Sequence, residues 1–202
     1  MVTTNENPDR KKHFIKMPYP ISHERYKDAS LSKCTDLTNE QAERLERWLA
    51  NPKNFLIIHS TFGVGKTYLG AAIANRRYEK NIHTYYFNEN EMFSRLAEMQ
   101  REGQDPAIYL QGLCKNNNFM IWDDLGSTLT HGKNNFYDDD RKNIMYQFID
   151  ERYNSKQPTI ITTNYKIHEL DSMINPRISS RLLAKENLII ELVGEDKRSL
   201  GQ

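Results

Sequence analysis

The run Ser60-Thr61-Phe62-Gly63-Val64-Gly65-Lys66-Thr67 sets two glycines, a lysine and a threonine at the spacing of a phosphate-binding loop. Backbone N–H groups of such a loop, and the positive end of a helix opening at its close, surround phosphate oxygens. Gly63 and Gly65 permit the backbone turns and close approach that a side chain would obstruct. Lys66 can then reach the β- and γ-phosphates of a nucleoside triphosphate, and the Thr67 hydroxyl can ligate Mg²⁺. Tyr68 completes the expected set of nucleotide contacts. Ser60 departs from the pattern G-x-x-x-x-G-K-[ST], which has glycine at that position.

A second constellation follows in Phe119-Met120-Ile121-Trp122-Asp123-Asp124, an apolar run ending in two carboxylates. Asp123 is placed to hold Mg²⁺ through water or Thr67, and Asp124 to orient or deprotonate the water that attacks the γ-phosphate. On its own the pair would fit a strand-terminal turn equally well. A loop of the kind at 60–67 gives it a chemical task.

Asn164 ends a third apolar run, where an amide can sense the γ-phosphate or the attacking water; a turn-forming asparagine is the plainer alternative. Arg177 and Arg181 stand four positions apart, on one face if that segment is helical. Either can project into a neighbouring copy's site and stabilise transition-state charge there. Ordinary surface arginines would have the same spacing.

These groups need elements to converge them. From Phe55 onward, short apolar runs alternate with helical patterns, as in a parallel sheet with covering helices. Strands are expected at Phe55–His59, Thr84–Phe87, Phe119–Trp122, Thr159–Thr162 and Leu188–Leu192. Helices are expected at Lys66–Lys80, Glu89–Glu102, Asp138–Asn154 and Ile167–Ile174. A further helix leads in at Thr38–Ala50, where Thr38 is followed three positions later by Gln41. The fold class is therefore α/β, a five-stranded parallel sheet flanked by helices. Ligands of open parallel sheets bind at the carboxyl edge of the strands, which is where Asp123, Asp124 and Asn164 fall.

The 202 residues suit one domain. Residues 1–35 are polar, contain Pro8, Pro18 and Pro20, and carry Arg10, Lys11, Lys12 and Lys16. They are expected to form a flexible basic arm before a domain at 36–202. With 28 Lys and Arg against 27 Asp and Glu, the net charge of +1 gives no global footprint for nucleic acid, so such contact would need a local patch. Cys34 and Cys114 lack metal-ligand spacing and are expected as reduced thiols. No apolar run reaches the roughly 20 residues of a membrane span, so the expectation is a soluble cytoplasmic protein without membrane partners.

Together the loop at 60–67, Trp122-Asp123-Asp124-Leu125-Gly126, Pro158-Thr159-Ile160-Ile161-Thr162-Thr163-Asn164 and Arg177-Ile178-Ser179-Ser180-Arg181-Leu182 resemble the DnaC/DnaI helicase loaders and the similar IstB transposition ATPases. Tyr19 to Ser30 resembles the segment that leads into the ATPase domain in that family. The resemblance implies a P-loop AAA+ (ASCE) fold without a carboxyl-terminal helical lid, binding ATP or ADP with Mg²⁺. It implies weak, assembly-dependent hydrolysis of ATP to ADP and phosphate. Asn164 becomes the first sensor and Arg181 the arginine finger, with Arg177 its rival. Gly194-Glu195-Asp196-Lys197-Arg198 is similar to the family's closing Gly-Glu-Ser-Tyr-Arg, which adds Arg198 near the nucleotide.

The implied partners are a hexameric replicative helicase of the DnaB family, single-stranded DNA and further copies of the chain. The arm, with Phe14 and Tyr19 among its basic residues, is the candidate grip on the helicase. Its shortness fits a compact loader encoded by a phage or other mobile element. Phe93, Arg95 and Arg101 are the candidate DNA contacts, and the loop Ser127 to Tyr137 a partner or DNA contact. An IstB-like regulator of a transposase is the alternative. A P-loop kinase fits less well, because the sensor strand and the arginine pair belong to shared-site ATPases.

Overall fold

The computed structural model describes residues 24–82, 84–115, 119–129 and 136–197. Five parallel strands, β1 (Phe55–His59), β2 (Thr84–Asn88), β3 (Phe119–Leu125), β4 (Thr159–Thr163) and β5 (Leu188–Glu191), lie in the order β2-β3-β4-β1-β5. Parallel strands need long crossovers, and the chain supplies helices for them. After α1 (Asn39–Ala50), which precedes β1, they are α2 (Lys66–Tyr78), α3 (Glu89–Arg101), α4 (Pro106–Lys115), α5 (Phe136–Asn154), α6 (Leu170–Met173) and α7 (Pro176–Leu182).

β1 and β4 are buried at every position, because helices cover both faces of the sheet. Alternation along the strands divides the core in two. Phe55, Ile57, Met120, Trp122 and Ile161 pack on one side with Met145, Phe148 and Ile178. Leu56, Ile58, Phe119, Ile121 and Ile160 pack on the other with Leu45, Leu69 and Ile73. The small residues of α2 let it lie close to the sheet: a Cβ on Gly70 would already touch Ile121 at 3.7 Å.

The helix start read at Thr38 is a capping box, in which the Thr38 side chain accepts from Gln41 N and Gln41 accepts in return from Thr38 N. Gln41 also donates to the Glu191 carbonyl at 2.8 Å, fastening α1 to the end of β5.

Several expectations need correction. The helix expected at Ile167–Ile174 is a 3-10 turn, Ile167–Glu169, followed by the single-turn α6. An unexpected helix, α4, starts where Asp105 accepts from Ala107 N at 2.9 Å and Pro106 needs no donor. The described part of the expected arm, residues 24–35, is packed: Ala29 is buried, and Asn75 of α2 donates to the carbonyls of Tyr26, Lys27 and Ala29. Arg10, Lys11, Lys12, Phe14, Lys16 and Tyr19 lie outside the described residues. Cys34 and Cys114 are free thiols, each pushed up to about 11 by burial.

Candidate nucleotide site

β1 ends at His59 and α2 begins at Lys66, so residues 60–65 must turn the chain from strand to helix at the carboxyl edge of the sheet. Gly63 and Gly65 make that turn with φ of 77° and 110°. A Cβ at Gly63 would lie 1.8 Å from an Asp196 carboxylate oxygen, so that side chain would have to move, and the φ of 77° would strain any other residue there. Residues 194–197 strap over the loop here. Lys197 N donates to the Gly63 carbonyl at 3.2 Å, and its ammonium pairs with Asp36.

Lys66 is buried, and its Nζ donates to the Thr61 carbonyl at 2.8 Å, the Ser60 hydroxyl at 3.1 Å and the Ser60 carbonyl at 3.2 Å. Ser60 therefore does more than replace the expected glycine. Its hydroxyl accepts from Lys66 and donates to the Thr61 carbonyl at 2.8 Å, holding the lysine against the loop. The Val64 side chain turns inward and is core, which leaves only its backbone to face a ligand.

Asp123 is 2% exposed and accepts from three hydroxyls: Thr162 at 2.6 Å, Tyr86 at 2.8 Å and Thr67 at 3.1 Å. Burial and the adjacent Asp124 push its pKa up, against the pull of those three donors. The Thr67 hydroxyl and the Asp123 carboxylate thus meet as a pair of hard oxygen donors, the type that suits Mg²⁺ completed by water and phosphate oxygens. Among the described residues no cluster of three His, Cys, Asp or Glu forms a cage for a metal.

Asp124 points differently because β3 carries an irregularity. Trp122 pairs with Ile161 and Leu125 with Thr163, so three steps on β3 face two on β4. Asp124 takes a φ of 60°, which aspartate tolerates better than most residues, and its N–H donates to the Thr162 hydroxyl at 2.9 Å. Its carboxylate accepts from Asn164 Nδ2 at 3.3 Å. One hydroxyl, that of Thr162, therefore sets both aspartates.

These parts line one cavity of about 540 Å³. Its walls include Phe62, Gly63, Gly65, Lys66, Thr67, Tyr68, Asp124 and Asn164 from the expected set. Arg25, Tyr26, Lys33, Ser127 and Lys197 line it as well; the sequence reading had none of these five among its nucleotide contacts. Nor had it given Tyr86 or Thr162 a role in the site. A signal for Thr162 was present, since a hydroxyl on a strand between apolar layers needs a partner.

The family model for the IstB-like ATP binding protein matches residues 5–188 of this chain. The chain belongs to that family. Among solved structures, this IstB-like protein is similar to the DnaC helicase loader at 26% identity and a TM-score of 0.68, over 85% of this chain and 100% of that one. It is similar to DnaI at 25% identity and a TM-score of 0.65, over 82% of this chain and 92% of that one. The replication initiator DnaA bound to AMPPCP and single-stranded DNA shares the fold, at 15% identity and a TM-score of 0.66, with 52% of its chain matched. None of the curated proteins matches the chain. The fold is that of the P-loop AAA+ ATPases, as the sheet order and the expected fold class both have it.

The described candidates on α3 and α7 of this IstB-like chain are not among the cavity walls. Arg181, on α7, pairs with Asp150 at 2.7 Å, and Arg177 and Arg181 both stack near the Tyr146 ring, at 5.7 and 5.5 Å. Arg177 is exposed. The two do share one face of α7, toward Tyr146, though they stand near its opposite ends, the first of them capped by Asn175. Arg198 lies outside the described residues, as does most of the loop from Ser127 to Tyr137. On α3, Arg95 is paired with Glu98, Arg101 donates to the Ala97 carbonyl, and Phe93 packs against the core with Arg141 over its ring.

Proposed function

We propose that this chain is an ATP-dependent helicase loader, which binds and hydrolyses ATP and places a DnaB-type replicative helicase on single-stranded DNA in the cytoplasm. The observation that carries this reading is the likeness to the DnaC helicase loader over the whole of that chain, with a complete set of P-loop groups at the shared edge. Among the described residues no helix is long and apolar enough to cross a membrane.

In this reading the N–H groups of residues 63–67 and the Lys66 ammonium hold the triphosphate, with Phe62 and Tyr68 beside it. Thr67 and Asp123 would hold Mg²⁺, which neutralises charge on the phosphate oxygens when bound. Asp124 takes a proton from, or orients, the attacking water, and Asn164 fixes the carboxylate that does so. The cavity walls contain no side chain from α7, so Arg181, with Arg177 as its rival, acts on the site of a neighbouring copy. Residues 1–23, with their basic cluster, form the grip on the helicase.

Complementation tests the shared site. Arg181→Ala and Asp124→Asn should each be inactive alone, the first by about 10³-fold or more, the value of an arginine finger. Mixed, they should regain hydrolysis, because the Asp124→Asn copy brings Arg181 to an intact site on its neighbour. Arg177→Ala in the same assay decides between the two arginines. Absence of recovery for both, with hydrolysis per molecule independent of protein concentration, would contradict a site shared between copies.

A further inference from the structure

Glu89 opens α3 directly after the edge strand β2 and is 0% exposed. Its carboxylate accepts four hydrogen bonds. Oε2 takes Gly126 N at 2.7 Å and Trp122 Nε1 at 3.2 Å; Oε1 takes the Thr128 hydroxyl at 2.7 Å and Thr128 N at 3.0 Å. Three of the four come from residues 126–128, the segment that follows Asp124.

The same segment is tied at further points. Asn90, next to Glu89, donates to the Ser127 hydroxyl at 3.2 Å, and Ser127 lines the nucleotide cavity. Arg141 of α5 donates to the Thr128 carbonyl at 2.6 Å. Gly126, at φ 87°, lies so close to the Tyr165 ring that a Cβ would approach it to 2.2 Å, and its carbonyl accepts from the Tyr165 hydroxyl at 3.2 Å.

A carboxylate in such a place is costly unless its surroundings answer it. Burial raises its pKa, and the donors of Thr128, Gly126 and Trp122 oppose that rise. No phosphate or water chemistry of the cavity calls for an acid at this position, since Glu89 is not among the cavity walls. Its four partners point instead to the chain that carries Asp124.

We propose that Glu89 is a positioning residue for ATP hydrolysis, which fixes residues 126–128 and thereby holds Asp124 at its positive φ, facing the nucleotide. This rests on the hydrolysis reading above. Four donors against two oxygens require a carboxylate. In Glu89→Gln the volume is kept, but in either orientation the amide NH₂ faces the backbone N–H of Gly126 or of Thr128.

The test compares amide exchange, ATP affinity and single-turnover hydrolysis in the full chain, in Glu89→Gln and in the milder Thr128→Val, which loses only the hydroxyl bond. In Glu89→Gln, amides 126 and 128 should exchange about tenfold faster or more, and hydrolysis should slow by a similar factor, as expected for a buried donor left unpaired. ATP affinity should stay within about threefold, since the P-loop is untouched, and Thr128→Val should fall between the two. Unchanged exchange and hydrolysis in folded Glu89→Gln would overturn the proposal. So would a parallel loss of ATP affinity, hydrolysis and protection across the sheet, which would mean that Glu89 serves the fold alone. If the unaltered chain releases no phosphate, the hydrolysis reading fails, whatever the exchange of amides 126 and 128.

Discussion

Asp124→Asn should bind ATP as the unaltered chain does and hydrolyse it about 10²- to 10⁴-fold more slowly, the usual worth of a general base. Asparagine has the shape of aspartate and tolerates the same positive φ, so the irregular end of β3 can persist. The Thr162 hydroxyl would still receive the backbone N–H at this position. What changes is the ability to take a proton from water. Fluorescent-nucleotide titration against single-turnover phosphate release separates binding from chemistry. Near-normal release with normal binding would remove Asp124 from its role.

Lys66→Ala should act earlier, on binding itself. Losing one partner of a buried charge-assisted contact costs about 2–5 kcal/mol, or roughly 30- to 5,000-fold in ATP affinity. The variant also loses the donor that serves the Ser60 and Thr61 carbonyls. Part of the loss therefore belongs to a less ordered loop, and Lys66→Arg, which keeps a donor but not its shape, should recover little. The check is calorimetric titration with ATP and ADP, with circular dichroism to establish that the sheet is intact. Unchanged ATP affinity in a folded Lys66→Ala chain would place the nucleotide elsewhere.

Much of the frame was legible because its signals are local. The five apolar runs read from period and punctuation became five strands within three residues at each end, and the Thr38 to Gln41 spacing became a capping box. Asp105-Pro106 also carried a start signal, but a proline beside polar residues reads equally as a loop, and α4 was passed over. The segment 167–174 had the right periodicity for a helix, yet only one α-helical turn follows its 3-10 start.

The site was legible where one motif holds its own parts and opaque where distant segments meet. Lys66 and Thr67 open the helix after β1, and Asp123, Asp124 and Asn164 fall at the carboxyl ends of β3 and β4, so motif spacing and the carboxyl-edge rule could place them. Tyr86 reaches Asp123 from a different strand, and Lys197 reaches the P-loop from the far end of the chain. Contacts of that kind have no signature in residue spacing. Glu89 reads locally as an acidic first-turn residue of a helix, which is favourable at any helix start; its four donors appear only when β2, β3 and the following loop are assembled.

In the proposed function, ATP held in this site governs a grip on a replicative helicase. We would mix the purified chain with a purified hexameric DnaB-type helicase and circular single-stranded DNA, and follow ring binding by analytical sedimentation and helicase transfer by unwinding. The truncation to include removes residues 1–20 only, because residues 24–35 pack on α2 and are needed by the fold. A loader should form a complex with the ring and transfer it to DNA in an ATP-dependent way, with transfer lost in Lys66→Ala and the complex lost on truncation. A chain that binds ATP but leaves the ring free in every nucleotide state, while binding a transposase instead, would contradict that function.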